Sequence, residues 1–302
     1  RSALEADLRR ALAELEVFRR RVIDDAPSLA RPVLFACEPL PVRGGAEFAI
    51  LPSRASKADI HLPLDTAPCP DCLRELRDPA DRRYRYPFIN CAHCGPRYTL
   101  IEALPYDRVR TSMAAFPLCP ACRAEYENPL DRRFHAEPIA CPVCGPQLAW
   151  KAGAKAATGE AALAAALAAL RAGGIVALRG IGGYHLVCDA RNEAAVAALR
   201  ERKQRPSRPF AVLFADADDL AASDEERALL QSPQRPIVLV EAKIQLAPSV
   251  APGLNRIGAM LPYSPLHALL LRAGLLEGRA GRRDLQLDVP GVEFGEQLPL
   301  LH

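Results

Sequence analysis

Long apolar runs, surplus charge of either sign and familiar nucleotide-binding loops are all missing from this 302-residue chain. No stretch approaches the roughly 18 consecutive apolar residues of a membrane-spanning helix, so no membrane partner is expected. The opening segment RSALEADLRR mixes charges of both signs within an apolar repeat, without the apolar core of a secretory signal, which points to a cytoplasmic address. With 39 basic and 36 acidic residues, the net charge of +3 excludes a general electrostatic attraction to nucleic acid or lipid. Neither GxGxxG nor a P-loop occurs, so any phosphate site must be built in another way.

Cysteine is plentiful instead. Eight of the ten cysteines form four CxxC pairs: Cys69/Cys72, Cys91/Cys94, Cys119/Cys122 and Cys141/Cys144. Displacing the sequence by fifty residues lays 69–96 over 119–146, matching every cysteine, a Pro-x-Asp-Arg-Arg segment and a closing Gly-Pro. In a reducing compartment disulfides rarely persist, so these thiols read as metal ligands. Eighteen residues separate the pairs within each repeat, a spacing that suits four-cysteine zinc sites. Two zinc sites are predicted, with pairing across the repeats left open. Four thiolates leave no open position, so the metals are structural. Iron–sulfur ligation is the alternative, because thiolates also suit iron. His93 and His135 are surplus to both sites. Gly95 and Gly145 fit knuckle turns in which amides approach the sulfurs. Cys37 and Cys188, outside the array, read as small buried hydrophobes.

Around the array the chain falls into segments. Residues 1–60 open with a helical period, Leu4, Leu8, Leu12, Leu15 and Phe18, followed by two short strands about Gly44-Gly45. The cysteine block at 61–150 has too few core residues to fold without metal. KAGAKAATGE at 151–160 reads as a linker. From 161 onward helices alternate with β-rich runs: AALAAALAALRAGG is a helix stopped by Gly173-Gly174, IVALRGI a strand, EAAVAALRERKQ a helix capped by Asn192, PFAVLFA a strand, DADDLAASDEERALLQ a helix and PIVLVEA a strand. This is the pattern of an α/β domain reaching about Gly274.

Chemistry in that domain is less sharply marked. LRGIGGYHLVCDA feeds a strand into a glycine-rich turn, and RERKQRPSRPFAVLF gathers Lys203, Arg205 and Arg208 at a helix exit. Guanidinium groups there could clamp a phosphate in bidentate fashion. Cations also favour helix C-termini through the macrodipole, so a solvated basic end is the competing reading.

These segments together resemble HypF, the carbamoyltransferase family of [NiFe]-hydrogenase maturation. The resemblance rests on the doubled finger with RYRYPFINCAHCGPRYT and DRRFHAEPIACPVCGP, on GIGGYHLVCDA and KQRPSRPFAVLF, and on SVAPGLNRIGAMLPYSPLHALLL. It covers roughly residues 15–272. The fold it implies is mixed α/β (α+β): the C-terminal part of an acylphosphatase-like domain at 1–60, tandem fingers at 61–150, an incomplete YrdC-like nucleotide domain at 161–275 and an unassigned tail at 276–302.

The same resemblance implies chemistry. Members of the family convert carbamoyl phosphate and ATP, with its Mg, into carbamoyladenylate, then pass the carbamoyl group to the C-terminal cysteine of a HypE-like acceptor for cyanide-ligand synthesis. Lys203, Arg205 and Arg208 resemble the basic motif that holds the phosphates; Arg179, Ser264 and His267 would join the site. Arg179 and Arg208 stand where lysine is expected, with charge retained. A phosphate loop would lie upstream of Arg1, and neither a Ser-Gly-Asn turn nor a carbamoyl-transfer domain is found after Gly274. This chain is therefore expected to carry only part of the reaction. A zinc-containing RNA-binding or tRNA-modifying YrdC-type protein is the alternative. Against it, residues 69–144 hold eleven arginines and ten acids in near balance, without a basic stripe. A purely structural spacer role for the fingers is compatible with the leading reading.

Overall fold

The computed structural model describes residues 2–26, 63–276, 285–288 and 300–301, with side chains at 10–26 and 63–271. The chain divides into two compact units, 1–63 and 64–302. In the first, helix α1 (Ser2–Asp24) follows the predicted leucine period. Its Leu12, Leu15 and Phe18 are exposed, and ion pairs such as Arg10–Glu14 and Arg21–Asp25 lace its polar side. The strands expected about Gly44-Gly45, the rest of the acylphosphatase-like segment and Cys37 lie outside the described residues.

In the second unit, each finger begins with a short helix, α2 (Pro70–Glu75) and α3 (Pro120–Glu127). The Cys-Pro dipeptide explains both starts. Proline at the first helical position loses no hydrogen bond there, and the preceding cysteine occupies the N-cap in extended geometry. Elements this short need metal to hold them, since six or eight residues are well below the length at which a helix stands alone.

The α/β part is one mixed ten-stranded sheet. Its strands are β1 (Ala149–Ala152), β2 (Lys155–Thr158), β3 (Val176–Gly180), β4 (Gly183–Asp189), β5 (Ala211–Leu213), β6 (Leu220–Ala221), β7 (Val238–Ala242), β8 (Ile257–Met260), β9 (Leu285–Asp288) and β10 (Leu300–Leu301), in the spatial order β2-β1-β10-β3-β4-β9-β5-β8-β7-β6. β3 and β4 form an antiparallel hairpin from Val176↔Val187 to Gly180↔Gly183, while β5 pairs in parallel with β8. The helices are α4 (Gly159–Arg171), α5 (Glu193–Arg202), α6 (Asp224–Gln231) and α7 (Pro265–Leu276).

Alternation along the strands separates two cores. Val176, Leu178 and Val187 face α4 and α7, together with Leu163, Leu170 and Leu269. Ala177, Leu186 and Cys188 face α5, with Val196, Leu199 and Phe210. The first core does not stop at the sheet. It continues through Trp150 into Cys72, Leu76, Tyr86 and Ile89 of the first finger. The second finger keeps a small core of its own around Cys122, Ala136, Ile139 and Cys141.

Several elements match the sequence closely. Gly173 takes φ +79° and its amide closes onto Leu170, ending α4; Asn192 caps α5 by accepting from the Ala195 amide. Others differ. The segment expected as a linker is the β1–β2 hairpin, turned at Gly153 with φ +58° and held by half-buried and buried residues such as Trp150. The helix expected over DADDLAASDEERALLQ begins only at Asp224, where Ser223 and Glu226 make a capping box. Leu220 and Ala221, before it, pair with β7 instead. Two short pieces of the tail enter the sheet, β9 lying between β4 and β5.

Candidate metal centres and phosphate-binding loop

Each repeat gathers its own four sulfurs, so pairing is within the repeats: Cys69, Cys72, Cys91 and Cys94 in one cluster, Cys119, Cys122, Cys141 and Cys144 in the other. Sulfur–sulfur edges in the first cluster measure 3.8 Å for Cys69–Cys91, 3.7 Å for Cys91–Cys94 and 3.5 Å for Cys72–Cys94. The equivalent edges of the second cluster are 3.8, 3.7 and 3.6 Å. A regular tetrahedron with zinc–sulfur bonds of about 2.3 Å has sulfur–sulfur edges of about 3.8 Å, whereas a disulfide would bring two sulfurs to about 2 Å. The donor set therefore fits one zinc in each cluster with no position left for substrate. His93 and His135 are exposed and outside both donor sets.

The backbone supports the sulfurs locally. The Cys72 amide donates to Cys69 Sγ at 3.5 Å and the His93 amide to Cys91 Sγ at 3.3 Å. Gly95 and Gly145 serve differently from expectation. Their amides bond to the carbonyls of Thr66 and Cys141, and the demand for glycine is steric: a Cβ on Gly145 would stand 2.1 Å from Tyr86 Oη and 2.5 Å from Ala140 Cβ. At Gly95 it would stand 2.6 Å from Asn90 Cβ, on a backbone with φ +95°.

The Asp-Arg-Arg segments reach across the repeats. Asp81 and Asp131 each accept the amide two residues on, at 2.7 Å, which fixes the turn. Arg83 then donates to the Ala140 carbonyl of the second finger, and Arg133 to the Asn90 carbonyl of the first. Glu125 receives Arg82 and Arg83, and Glu75 receives Arg132 and Arg133. Burial alone would raise the Glu125 carboxyl, but hydrogen bonds and charge from Arg83 and Arg82 prevail and hold it down at about 2.

In the α/β part, the predicted basic residues follow α5. Lys203 caps its C-terminus, Arg205 donates to the Pro209 carbonyl at 2.8 Å and lies over the Phe210 ring, and Arg208 is exposed. Arg200 organises this loop, a role that sequence reasoning missed. Its buried guanidinium donates to the carbonyls of Arg205 (2.6 Å), Arg208 (3.0 Å), Ser249 (2.6 Å) and Val250 (3.2 Å) while covering the Phe210 ring. Its one signal in the sequence is an arginine at helical spacing on the apolar face of α5.

The other candidates lie elsewhere. Arg179 is exposed on β3, on the Ala177 side that α5 covers. Ser264 and His267 sit at the start of α7 on the opposite face, where Ser264 Oγ meets His267 Nδ1 at 2.7 Å. His267 is completely buried and its Nε2 has no hydrogen-bond partner among the described residues. The Tyr263 ring packs against His267, tilted by 46° with centroids 4.4 Å apart, and the Tyr263 hydroxyl meets His185 Nδ1 at 2.7 Å. Cys188 is also fully buried on β4, and burial pushes its thiol up to about 12, as expected of a core residue.

A doubled four-cysteine finger joined through a shared core to a mixed α/β domain defines the class of protein. Residues 69–101 and 118–150 match the family described as HypF finger, and residues 168–276 match the Sua5, YciO and YrdC family described as Telomere recombination. Among curated proteins, the carbamoyltransferase HypF2 of Cupriavidus necator is 51% identical over 290 residues, 92% of this chain and 36% of that protein. The carbamoyltransferase HypF of Synechocystis is 51% identical over 84% of this chain and 34% of its own length. The solved HypF of T. kodakarensis superposes with a TM-score of 0.81 at 39% identity, covering 95% of this chain and 39% of that one. Full-length HypF in the phosphate- and nucleotide-bound form gives 0.78 at 40%, covering 91% and 36%. The chain belongs to the HypF family, a family of enzymes, and spans about a third of the length of the curated relatives it matches. No helix among the described residues is long and apolar enough to cross a membrane.

Proposed function

We propose that this chain provides the zinc-finger and nucleotide-binding portion of a cytoplasmic carbamoyltransferase. In this reading carbamoyl phosphate, water and Mg-bound ATP give a carbamoyladenylate with release of inorganic phosphate and pyrophosphate. The carbamoyl group is then passed to the terminal cysteine of a HypE-like acceptor by the complete protein. The observation that carries it is the joint occurrence of two four-cysteine clusters and a Lys203–Arg208 basic loop on the mixed sheet, at about half identity to proteins named carbamoyltransferases. A related full-length HypF has been solved with phosphate and nucleotide bound, which supports a phosphate role for the basic loop.

Each residue has a distinct part in the proposal. Lys203 supplies a point charge to a phosphate, and Arg205, Arg208 and Arg179 supply planar donors that match phosphate oxygens. Together they would stabilise the charge that develops as pyrophosphate leaves. Ser264 and His267, as a buried neutral pair on the other face of the sheet, would have a structural role rather than meet phosphate charge. The fingers would hold structure, because their four thiolates close each metal.

The RNA-binding alternative gains nothing from the fingers. Arg83, Arg97, Arg108 and Arg133 are turned onto internal carbonyls and carboxylates, so these four are not offered to a phosphate backbone. The decisive experiment is carbamoyl-phosphate-dependent exchange between ATP and pyrophosphate in the full-length protein. Lys203→Ala with Arg205→Ala should abolish exchange while both zincs remain bound. Undiminished exchange in that variant would overturn the assignment of the loop.

A further inference from the structure

The two metal clusters exchange their counter-charges. Arg132, in the second finger, places Nη1 3.2 Å from Cys72 Sγ and 3.9 Å from Cys69 Sγ of the first. Arg82, in the first, places Nη2 3.1 Å from Cys122 Sγ of the second, and Arg83 places Nη2 3.5 Å from the same sulfur. The geometry follows from the short helices. Glu75 stands three residues after Cys72 on α2 and Glu125 three after Cys122 on α3, so a thiolate and a carboxylate share one helix face. Each such face meets the other repeat's Arg-Arg pair: Arg132 and Arg133 at Glu75, Arg82 and Arg83 at Glu125.

Charge gives this crossing its consequence. Four thiolates about a divalent zinc leave a cluster carrying roughly two negative charges, and the neighbouring glutamate adds another. Two guanidinium groups offset most of that in a half-buried setting, where Arg83 and Arg133 are almost fully enclosed. Donors to a ligand atom also fix its position and tune how firmly it holds the metal. Here they come from the other finger, whose own turn is ordered by its own cluster.

We propose that the two fingers are one metal-binding unit in which Arg132 and Arg133 secure zinc at Cys69, Cys72, Cys91 and Cys94, while Arg82 and Arg83 secure zinc at Cys119, Cys122, Cys141 and Cys144. Loss of either metal then loosens the other site. The doubled array is a coupled pair, and the Asp-Arg-Arg segment is the coupling element.

The test uses the full chain loaded with two zincs. Transfer of zinc to a chromophoric chelator is followed together with mass-spectrometric mapping of which cysteines become alkylated. Arg132→Ala should accelerate alkylation of Cys69 and Cys72 about ten-fold and leave Cys119 and Cys122 within about two-fold. Arg82→Ala should do the reverse. Arg132→Lys, which keeps charge but loses the fork, should fall between. In a further arm, Cys119→Ser with Cys141→Ser should speed zinc release from the intact first site. Alkylation accelerated more in the finger that carries the arginine mutation than in the finger that arginine reaches, equal loosening of both sites by a single arginine variant, or unaltered zinc release in the double-serine variant would each overturn the proposal.

Discussion

Arg85 closes on Glu160 through both carboxylate oxygens, Nε at 2.9 Å and Nη2 at 2.7 Å, tying the first finger to helix α4. Glu160 is largely exposed, so such a pair contributes at most about 1 kcal/mol. The apolar seam beneath it is the stronger joint, since Leu76, Tyr86 and Ile89 share a core with Trp150 and Leu163. Arg85→Ala should therefore change the urea midpoint slightly, the more so because alanine keeps the Cβ and the φ of +56° unchanged. Leu163→Ala should cost about 2–5 kcal/mol. A larger effect at Arg85 than at Leu163 would reverse this ranking.

Zinc removal should be visible at a distance through the same seam. Trp150 is the single tryptophan, buried on β1 in one core with Cys72. Withdrawing the metal frees four thiolates that hold that finger's core in place, and the finger has little else to keep it folded. Chelation should shift tryptophan emission to longer wavelength, and readdition of zinc should restore it. Emission that stays fixed while zinc leaves would show that the seam survives without metal.

Gly145 carries a sharper steric demand. An alanine there puts Cβ 2.1 Å from Tyr86 Oη, and that hydroxyl donates to the Pro146 carbonyl at 3.1 Å. Something must shift, either the tyrosine ring in the shared core or the turn after Cys144. Gly145→Ala should lose about 1–3 kcal/mol by overpacking and hasten zinc release. Urea titration with a zinc indicator reads both.

The cysteine clusters were legible because metal ligation is written in local spacing: two residues within a pair and eighteen between pairs. The Asp-Arg-Arg repeat was equally visible, yet its partners were not. Nothing in a chain's spacing says that Arg132 answers Cys72 across sixty residues. The β1–β2 hairpin escaped for another reason: KAGAKAATGE is polar and small, and only its pairing partners make it a strand. Likewise the tail lacks a strong β pattern, and β9 forms where β4 and β5 offer it two open edges.

Arg200 was missed because an arginine near a helix end is ordinarily solvated. Here it is buried, and one guanidinium serves four carbonyls, two of them in the basic loop. Replacing it removes the donors that set Arg205 and Arg208 in place and leaves buried acceptors unsatisfied. Arg200→Met should cost about 1–3 kcal/mol and weaken nucleotide binding by the full-length protein. Arg200→Lys should rescue little, since an ammonium cannot span four acceptors. Isothermal titration with Mg-ATP tests this; unchanged affinity in Arg200→Met would separate the loop's order from its ligand.

His267 gives a prediction in pH. Burial, and then the charge of nearby His185, push its imidazole down to about 3, against about 6.5 in an unfolded chain. Below about pH 6.5 the unfolded state therefore binds a proton that the folded state refuses, so stability falls as pH falls, until both forms are protonated near pH 3. Between about pH 6.5 and 5 this one group should remove about 1.6 kcal/mol. Tyr263 and Ser264 touch the ring, and His185 lies 6.2 Å away. Acid release of zinc adds its own slope, so the informative quantity is a difference between proteins. Urea stability of the parent and of His267→Gln should run parallel above about pH 7 and diverge below it, the parent falling faster. Parallel profiles throughout that range would mean that His267 takes up its proton in the folded protein as readily as in the unfolded one.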